Sequence, residues 1–182
     1  MAKLRKMLGD PTGPRAKALM ALIDTQSAST LGRWAAAYAE ERYLPILSRH
    51  RSGQPVDDRF ATAIKQAIAC ADGNATLKDA KPALRAALAA ARETGDADPG
   101  AQGGPPAAPT VCAACGVIQT PTNALGFAFY GATAAAYDQA GLSADSAEYE
   151  RLADMEFDRI IASLRHAAVE NEPHPVKVRW NC

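Results

Sequence analysis

Apolar residues recur along this chain every three or four positions, the spacing that places them on one face of a helix. Phe60, Ile64 and Ile68, for example, follow one another at intervals of four. Four segments share this period, and β-branched runs are almost absent. The pattern predicts helices over these residues: about 14–26, 27–45, 58–72, 79–92, 107–119, 121–140 and 145–168. We therefore expect an all-α, single-domain bundle of six or seven helices over residues 1–182, with an extended C-terminal strap.

Helix-capping residues and prolines mark the ends of these segments. Ser27 or Ser29 is placed to cap the second helix, which Pro45 should then disturb. Asp57 or Asp58 is placed to cap the third. These side chains accept hydrogen bonds from the free N–H groups of a first helical turn, so they predict where helices begin.

The same signals occur later in the chain. Asp79 and Pro82 predict a cap and a first-turn proline for the fourth helix, and Thr120 with Pro121 predicts the same arrangement before residue 121. Gly141 is typical of a residue that closes a helix.

The segment over residues 121–140 differs from the others because it is apolar nearly all round. A helix of that kind is buried on most sides. We expect it to be the innermost helix, with Phe127 and Tyr130 filling the gaps between neighbours.

Two segments carry no helical pattern. Residues 95–109, rich in glycine and proline, predict a flexible surface loop. Residues 170–182 form the tail, where Pro173 and Pro175 exclude a helix. Val176, Val178 and Trp180 then alternate with polar residues, so an extended strap could press one apolar edge onto the bundle.

Composition narrows the class of protein. The chain has 182 residues, with 20 basic against 20 acidic side chains, a balance that argues against a dedicated nucleic-acid or membrane-surface binder. No run approaches the roughly 20 apolar residues of a membrane span, and residues 1–10 lack the apolar stretch of a signal peptide. We expect a cytoplasmic protein with reduced thiols.

Charge is unevenly placed despite the neutral total. Residues 1–17 are basic, whereas residues 138–159 carry seven carboxylates against two arginines. Exposed charge is the norm, so the simpler interpretation is two solvated faces that dock on each other. The alternative is that the acidic face receives a basic partner.

Cys112 and Cys115 form a C-x-x-C pair, a spacing used by redox couples and zinc sites. Here the pair lies inside an alanine-rich helix with no preceding strand. Cys70 and Cys182 are isolated, so no second ligand pair has matching spacing. Buried cysteine commonly behaves as a small hydrophobe. We interpret the pair as packing residues.

No other pattern predicts catalysis. The histidines His50, His166 and His174 are scattered, and there is no metalloprotease, hydrolase or nucleotide-binding motif. Asp57 and Asp58 are best interpreted as a helix cap with Arg59 as ion partner. We therefore predict no catalytic, cofactor-binding or metal-binding residues.

Four stretches carry a family resemblance: MAKLRKMLGD, LMALIDTQSASTLGRWAAAYAEERYLPIL, IQTPTNALGFAFYGATAAAYDQAGL and ENEPHPVKVRWNC. Together they resemble a bacterial family of immunity proteins close to immunity family five of polymorphic toxin systems. The resemblance covers nearly the whole chain. The sequence departs from the family pattern at residues 99–109, where relatives continue an alanine-rich helix.

The resemblance implies a protein that binds a cognate toxin and neutralises it by occlusion. Because many such toxins act on nucleic acid and present basic clefts, we predict that Glu150, Asp154 and Asp158 contact the partner. Two other functions stay open: a helical structural or regulatory module that binds another protein, and a small thiol-dependent enzyme. Homo-oligomerisation also stays open.

Overall fold

The protein is a bundle of helices around one apolar core. A computed structural model describes residues 4–51, 54–93 and 105–180. The α-helices are α1 (Pro14–Ile23), α2 (Ala28–Tyr38), α3 (Leu44–Arg49), α4 (Asp58–Ala71), α5 (Leu77–Glu93), α6 (Ala107–Gly116), α7 (Asn123–Ala140) and α8 (Ser146–Ala167). A π-helical turn (Ala39–Tyr43) joins α2 to α3. If α2 and α3 are counted as one rod, these ranges hold seven helices and no strand, which confirms the all-α prediction.

Helix α7 lies at the centre of the bundle, as predicted. It packs against α8, α6, α1 and the α2–α3 rod. Phe127 is fully buried, and the rings of Trp34, Tyr38 and Tyr43 meet it edge to face at centroid distances of 5.5–6.1 Å. Tyr130 is only half-buried and faces a groove described below. Alanine and glycine elsewhere on α7 let the neighbouring helices approach closely.

Several helix ends differ from the sequence prediction. Pro45 does not end the second helix, because the π turn accommodates the proline and the rod continues to Arg49. Helix α5 begins at Leu77, so Pro82 lies inside it rather than in its first turn.

Two predicted caps also have other roles. Asp79 is not the cap of α5; its carboxylate reaches back to the backbone N–H of Thr76, as in a capping box. Helix α7 starts at Asn123, so Thr120 and Pro121 form the turn that precedes it. Ser27 and Asp57 do cap α2 and α4 through their side chains, and Asp145, at the predicted start of the last helix, caps α8.

The two irregular segments are described in part. Helix α6 already begins at Ala107, so residues 107–109 belong to that helix, and residues 95–104 of the predicted loop lie outside the described residues. In the tail, Val176 donates its N–H to the Gln26 carbonyl at 2.8 Å, and Trp180 hydrogen-bonds Asp24. Val176, Val178 and Trp180 are half-buried while the residues between them are exposed. This is the alternation that the sequence predicts for a strap.

Within the described ranges, no helix combines the length and the apolar character needed to cross a membrane.

Candidate partner-binding surfaces

The carboxylates predicted to contact a partner are paired with arginines of the same chain. Arg5 forms an ion pair with Glu150. Arg15 contacts Asp154 at 3.0 Å and Asp158 through two hydrogen bonds of 2.8 and 3.0 Å. The three carboxylate side chains remain 41–58 % exposed. The structure therefore brings the three residues together on one face of α8, next to the basic N-terminal segment.

That N-terminal segment is fixed by more than charge. Leu8 is buried and donates its N–H to the Thr133 hydroxyl at 2.8 Å. The hydroxyl of Tyr137 accepts from the Arg5 N–H and donates to the Arg5 carbonyl. These contacts hold the segment against α7 and α8, which is the docked arrangement that we considered the simpler explanation of the charge pattern.

Glu156, which the sequence analysis did not single out, is a fully buried carboxylate at the interface of α8 with the α2–α3 rod. It accepts hydrogen bonds from the hydroxyls of Tyr43 at 2.8 Å and Tyr38 at 3.1 Å. The guanidinium of Arg42 adds bonds of 3.0 and 3.3 Å, and Arg159 lies at 3.4 Å. With its acceptor sites occupied, the carboxylate is a structural link between helices rather than an open ligand site.

The π turn makes this cluster possible. In a regular α-helix, residues i and i+5 point to different faces, whereas the wider π turn brings them closer together. Tyr38 and Tyr43 are five residues apart, and both reach Glu156. Pro45 lacks the N–H that an α-helix would use to bond the carbonyl of residue 41, which favours the wider turn.

One sequence signal could have revealed Glu156. It is three residues after Ala153 and four before Ile160, so it lies within the apolar stripe of α8. A charged residue at such a position requires partners. Burial and the adjacent Glu156 carboxylate raise the pKa of the Tyr43 hydroxyl, so that this hydroxyl remains a hydrogen-bond donor.

Helix α5 buries small side chains and presents large ones. Its buried residues are all alanines: Ala80, Ala87, Ala90 and Ala91. Leu77 and Leu88 are 40 % and 45 % exposed, and Leu84 is half-buried. With spacings of seven and four residues, these leucines lie on one face of the helix. Leu84 and Leu88 border a groove of about 560 Å3 between α5, α6 and the start of α7, with Pro109 and Tyr130 on its other side.

The charges on α5 are also unbalanced. Its two carboxylates already have partners, since Asp79 bonds Thr76 and Glu93 forms a 2.5 Å contact with Arg59. Within the described part of the chain, the cations of α5 form no ion pair with a carboxylate: Lys78, Lys81, Arg85 and Arg92. Three of them line the groove, and no described carboxylate does.

A second groove, of about 460 Å3, lies between α2 and α8. Both signs of charge border it, because Arg33 and Glu41 are on its rim. Arg33 is already paired with Asp72, and the indole N–H of Trp34 is bonded to Ser163 at 3.1 Å. This groove therefore offers neither a net charge nor an unused indole donor.

The thiols of the C-x-x-C pair are poorly suited to redox or metal chemistry. Cys115 is buried and Cys112 is half-buried at the edge of the α5–α6 groove. Burial raises the pKa of the Cys112 thiol to about 12 and also raises that of Cys115. Both thiols are therefore protonated at neutral pH, whereas a reactive or metal-binding thiol must lose its proton. These values support the interpretation of the pair as packing residues.

The remaining polar candidates have structural partners. Asp57 accepts from the Arg59 N–H at 2.9 Å and pairs with the Arg59 guanidinium at 2.7 Å, as the cap interpretation predicts. His50 contacts Asp138 at 2.8 Å at the end of α3. In the ranges that the structure describes, no group of three or more His, Cys, Asp or Glu side chains is placed to hold a metal ion.

Comparison with known proteins gives one match. A family model described as "Imm-5 like putative immunity protein" matches residues 21–158. This range runs from the end of α1 into α8 and includes α5 and Glu156 with its partners Tyr38, Arg42 and Tyr43. No curated protein and no solved structure matches the chain.

Proposed function

Because this chain belongs to the Imm-5 like putative immunity protein family, we propose that it binds a cognate bacterial toxin in the cytoplasm and neutralises it by occlusion. The family match over residues 21–158 is the observation that carries the proposal. In this mechanism the immunity protein covers the toxin's working surface and performs no chemistry itself.

The site geometry supports binding rather than catalysis. The buried carboxylate at Glu156 is fully engaged by its own chain, and burial keeps the Cys112 and Cys115 thiols protonated. Neither arrangement leaves a poised acid, base or nucleophile in the described ranges. What the molecule offers to a partner is a rigid helical body with two charged surfaces, on α8 and on α5.

We expect a toxin gene to lie beside the gene of this protein, and a direct test uses the toxin domain that such a gene encodes. The two proteins are co-expressed, purified through a tag on one of them and analysed by size exclusion, and toxicity is scored in cells with and without this chain. We expect a stoichiometric complex and loss of toxicity. Absence of both binding and protection would contradict the proposal. A complex without protection would instead favour the alternative of a regulatory protein-binding module.

The contact of Glu150, Asp154 and Asp158 with the toxin stays a prediction, and it has its own test. If this face binds the toxin, Asp154→Lys with Asp158→Lys should slow association, most strongly at low salt. The variant Glu40→Lys with Glu170→Lys makes the same charge change at two exposed positions elsewhere and serves as the control. Undiminished neutralisation by the folded Asp154/Asp158 variant would remove the acidic face from the interface.

A further inference from the structure

We propose that the leucine–cation stripe of α5, defined by Leu77, Lys81, Leu84, Arg85, Leu88 and Arg92, is a toxin-binding surface that receives an acidic, apolar segment of the toxin. This inference rests on the proposed function and specifies the surface and the chemistry of the partner. It concerns a helix that packs on α4 and α6, so it can be tested separately from the acidic face of α8.

The first argument is the inverted burial of α5. A helix that serves only the core places its large apolar residues inside and its small or polar residues outside. Here alanines are buried, Leu77 and Leu88 are exposed, and Leu84 is half-buried against the core. Five large apolar side chains are exposed in the described ranges, and Leu77 and Leu88 are two of them. Leucines aligned beside a groove are the kind of apolar patch that marks an interaction surface.

The second argument is uncompensated charge. Elsewhere in the described chain, arginines such as Arg15 and Arg42 are paired with carboxylates. Within the described ranges, Lys81, Arg85 and Arg92 border the groove without such a pair, and no described carboxylate lines it. A partner that supplies carboxylates around an apolar contact would therefore gain both apolar burial and charge complementarity.

Together these features define the chemistry of the bound segment. Its apolar side chains would lie against Leu84 and Leu88, and its Asp or Glu side chains would reach Arg85 and Arg92. The groove is about 560 Å3, room for a few side chains but not for a whole domain. A single helix or extended segment of the toxin is the occupant that these dimensions favour.

The test compares stripe variants with matched controls, and its probe is the toxin domain that binds the unchanged protein in the co-expression test above. One stripe variant is Arg85→Glu with Arg92→Glu, and its control, Arg165→Glu with Lys177→Glu, makes the same charge change at two exposed positions outside α5. The other is Leu88→Glu, with Val169→Glu as the control because Val169 is 47 % exposed and lies beyond the end of α8. Circular dichroism verifies that each variant is folded, and calorimetry or surface plasmon resonance gives the affinity.

We expect each stripe variant to weaken toxin binding by about tenfold or more, as removal of a central contact does, while each control binds like the unchanged protein. Stripe variants that bind and neutralise the toxin normally would overturn this inference and leave the proposed function intact. Failure of the unchanged protein to bind would overturn the proposed function, and this inference with it.

A second copy of this chain is the competing occupant. Sedimentation of the isolated protein separates the two cases. If the stripe binds the toxin, Leu88→Glu leaves the mass of the isolated protein unchanged. A dimer that Leu88→Glu converts to a monomer would assign the stripe to self-association and overturn its assignment to the toxin.

Discussion

The hydroxyl of Tyr43 donates a 2.8 Å hydrogen bond to the buried carboxylate of Glu156 and lies directly over Gly131 of α7. A Cβ atom at position 131 would lie only 2.6 Å from the ring carbon that bears this hydroxyl. The absence of a side chain at Gly131 is therefore what lets three elements, the π turn, α7 and α8, meet at one point.

Replacement of this glycine should destabilise the protein. Gly131→Ala forces the fully buried Tyr43 ring to shift, and overpacking of this kind costs about 1–3 kcal/mol. The loss should exceed the gain in helix propensity, which is about 1 kcal/mol. Gly126→Ala on the same helix is the control, because nothing lies within 4 Å of its Cβ position, and it should be neutral or stabilising. Urea unfolding measures both variants, and equal stability of the two would contradict the proposed close approach.

Neutralisation of the buried carboxylate should also be costly. Glu156→Gln keeps the size of the side chain but removes its negative charge and replaces one acceptor oxygen with an NH2 donor, so the side chain can no longer accept from all of its Arg42 and tyrosine partners. We expect a loss of about 1–3 kcal/mol in the free energy of unfolding. Glu150→Gln, which weakens a half-exposed ion pair with Arg5, should cost at most about 1 kcal/mol. If the two variants lose the same stability in urea unfolding, Glu156 is not the central link that its burial indicates.

The Asp57 cap predicts a defined pH dependence. Hydrogen bonds from Arg59 lower the pKa of Asp57 from 3.8 to about 2. Because the pKa of Asp57 is lower in the folded than in the unfolded state, ionised Asp57 stabilises the fold. This stabilisation is present above pH 3.8 and disappears as the pH falls through about 2. Asp57→Ala should therefore lose about 1 kcal/mol near neutral pH, and the difference from the unchanged protein should shrink as the solution is acidified.

Two variants refine the Asp57 test. Asp57→Asn keeps a cap acceptor and should lose less stability than Asp57→Ala. Asp58→Ala removes an exposed carboxylate that does not cap the helix, so it serves as the control. Urea unfolding at a series of pH values measures all three. A stability difference for Asp57→Ala that stays constant down to pH 2 would contradict the ionic role of Arg59.

Cysteine replacement tests the packing interpretation. Cys112→Ala with Cys115→Ala should cost on the order of 1–2 kcal/mol of stability and leave toxin neutralisation intact, with or without reductant. In a Cys70→Ser, Cys182→Ser background, the native pair should react slowly with iodoacetamide at neutral pH, because burial raises the pKa of Cys112 to about 12. Rapid alkylation, or stoichiometric zinc in protein purified without added metal, would contradict this interpretation.

Much of the fold follows from local patterns. The apolar period and the capping signals located α1, α2 and α4–α8, whereas most of α3 lies beyond the predicted range 27–45. Single residues such as Ser27 and Asp57 marked where helices begin. These predictions succeed because a cap or a stripe depends only on residues within a turn or two of one another. The all-round apolar character of residues 121–140 likewise identified the central helix, since only a buried helix needs no polar face.

The sequence by itself determined the helical segments and the central position of α7, and it predicts a packing role for Cys112 and Cys115. Tertiary packing decided which residues contact one another. It brings Tyr38 and Tyr43 to Glu156 and pairs Arg15 of the N-terminal segment with the acidic face of α8. It also decides that α5 buries its alanines and leaves Leu77 and Leu88 exposed. In each of these cases the partners are distant along the chain or belong to another helix. A local pattern shows that a helix has two faces, but only the shape and charge of the neighbouring helices decide which face is buried.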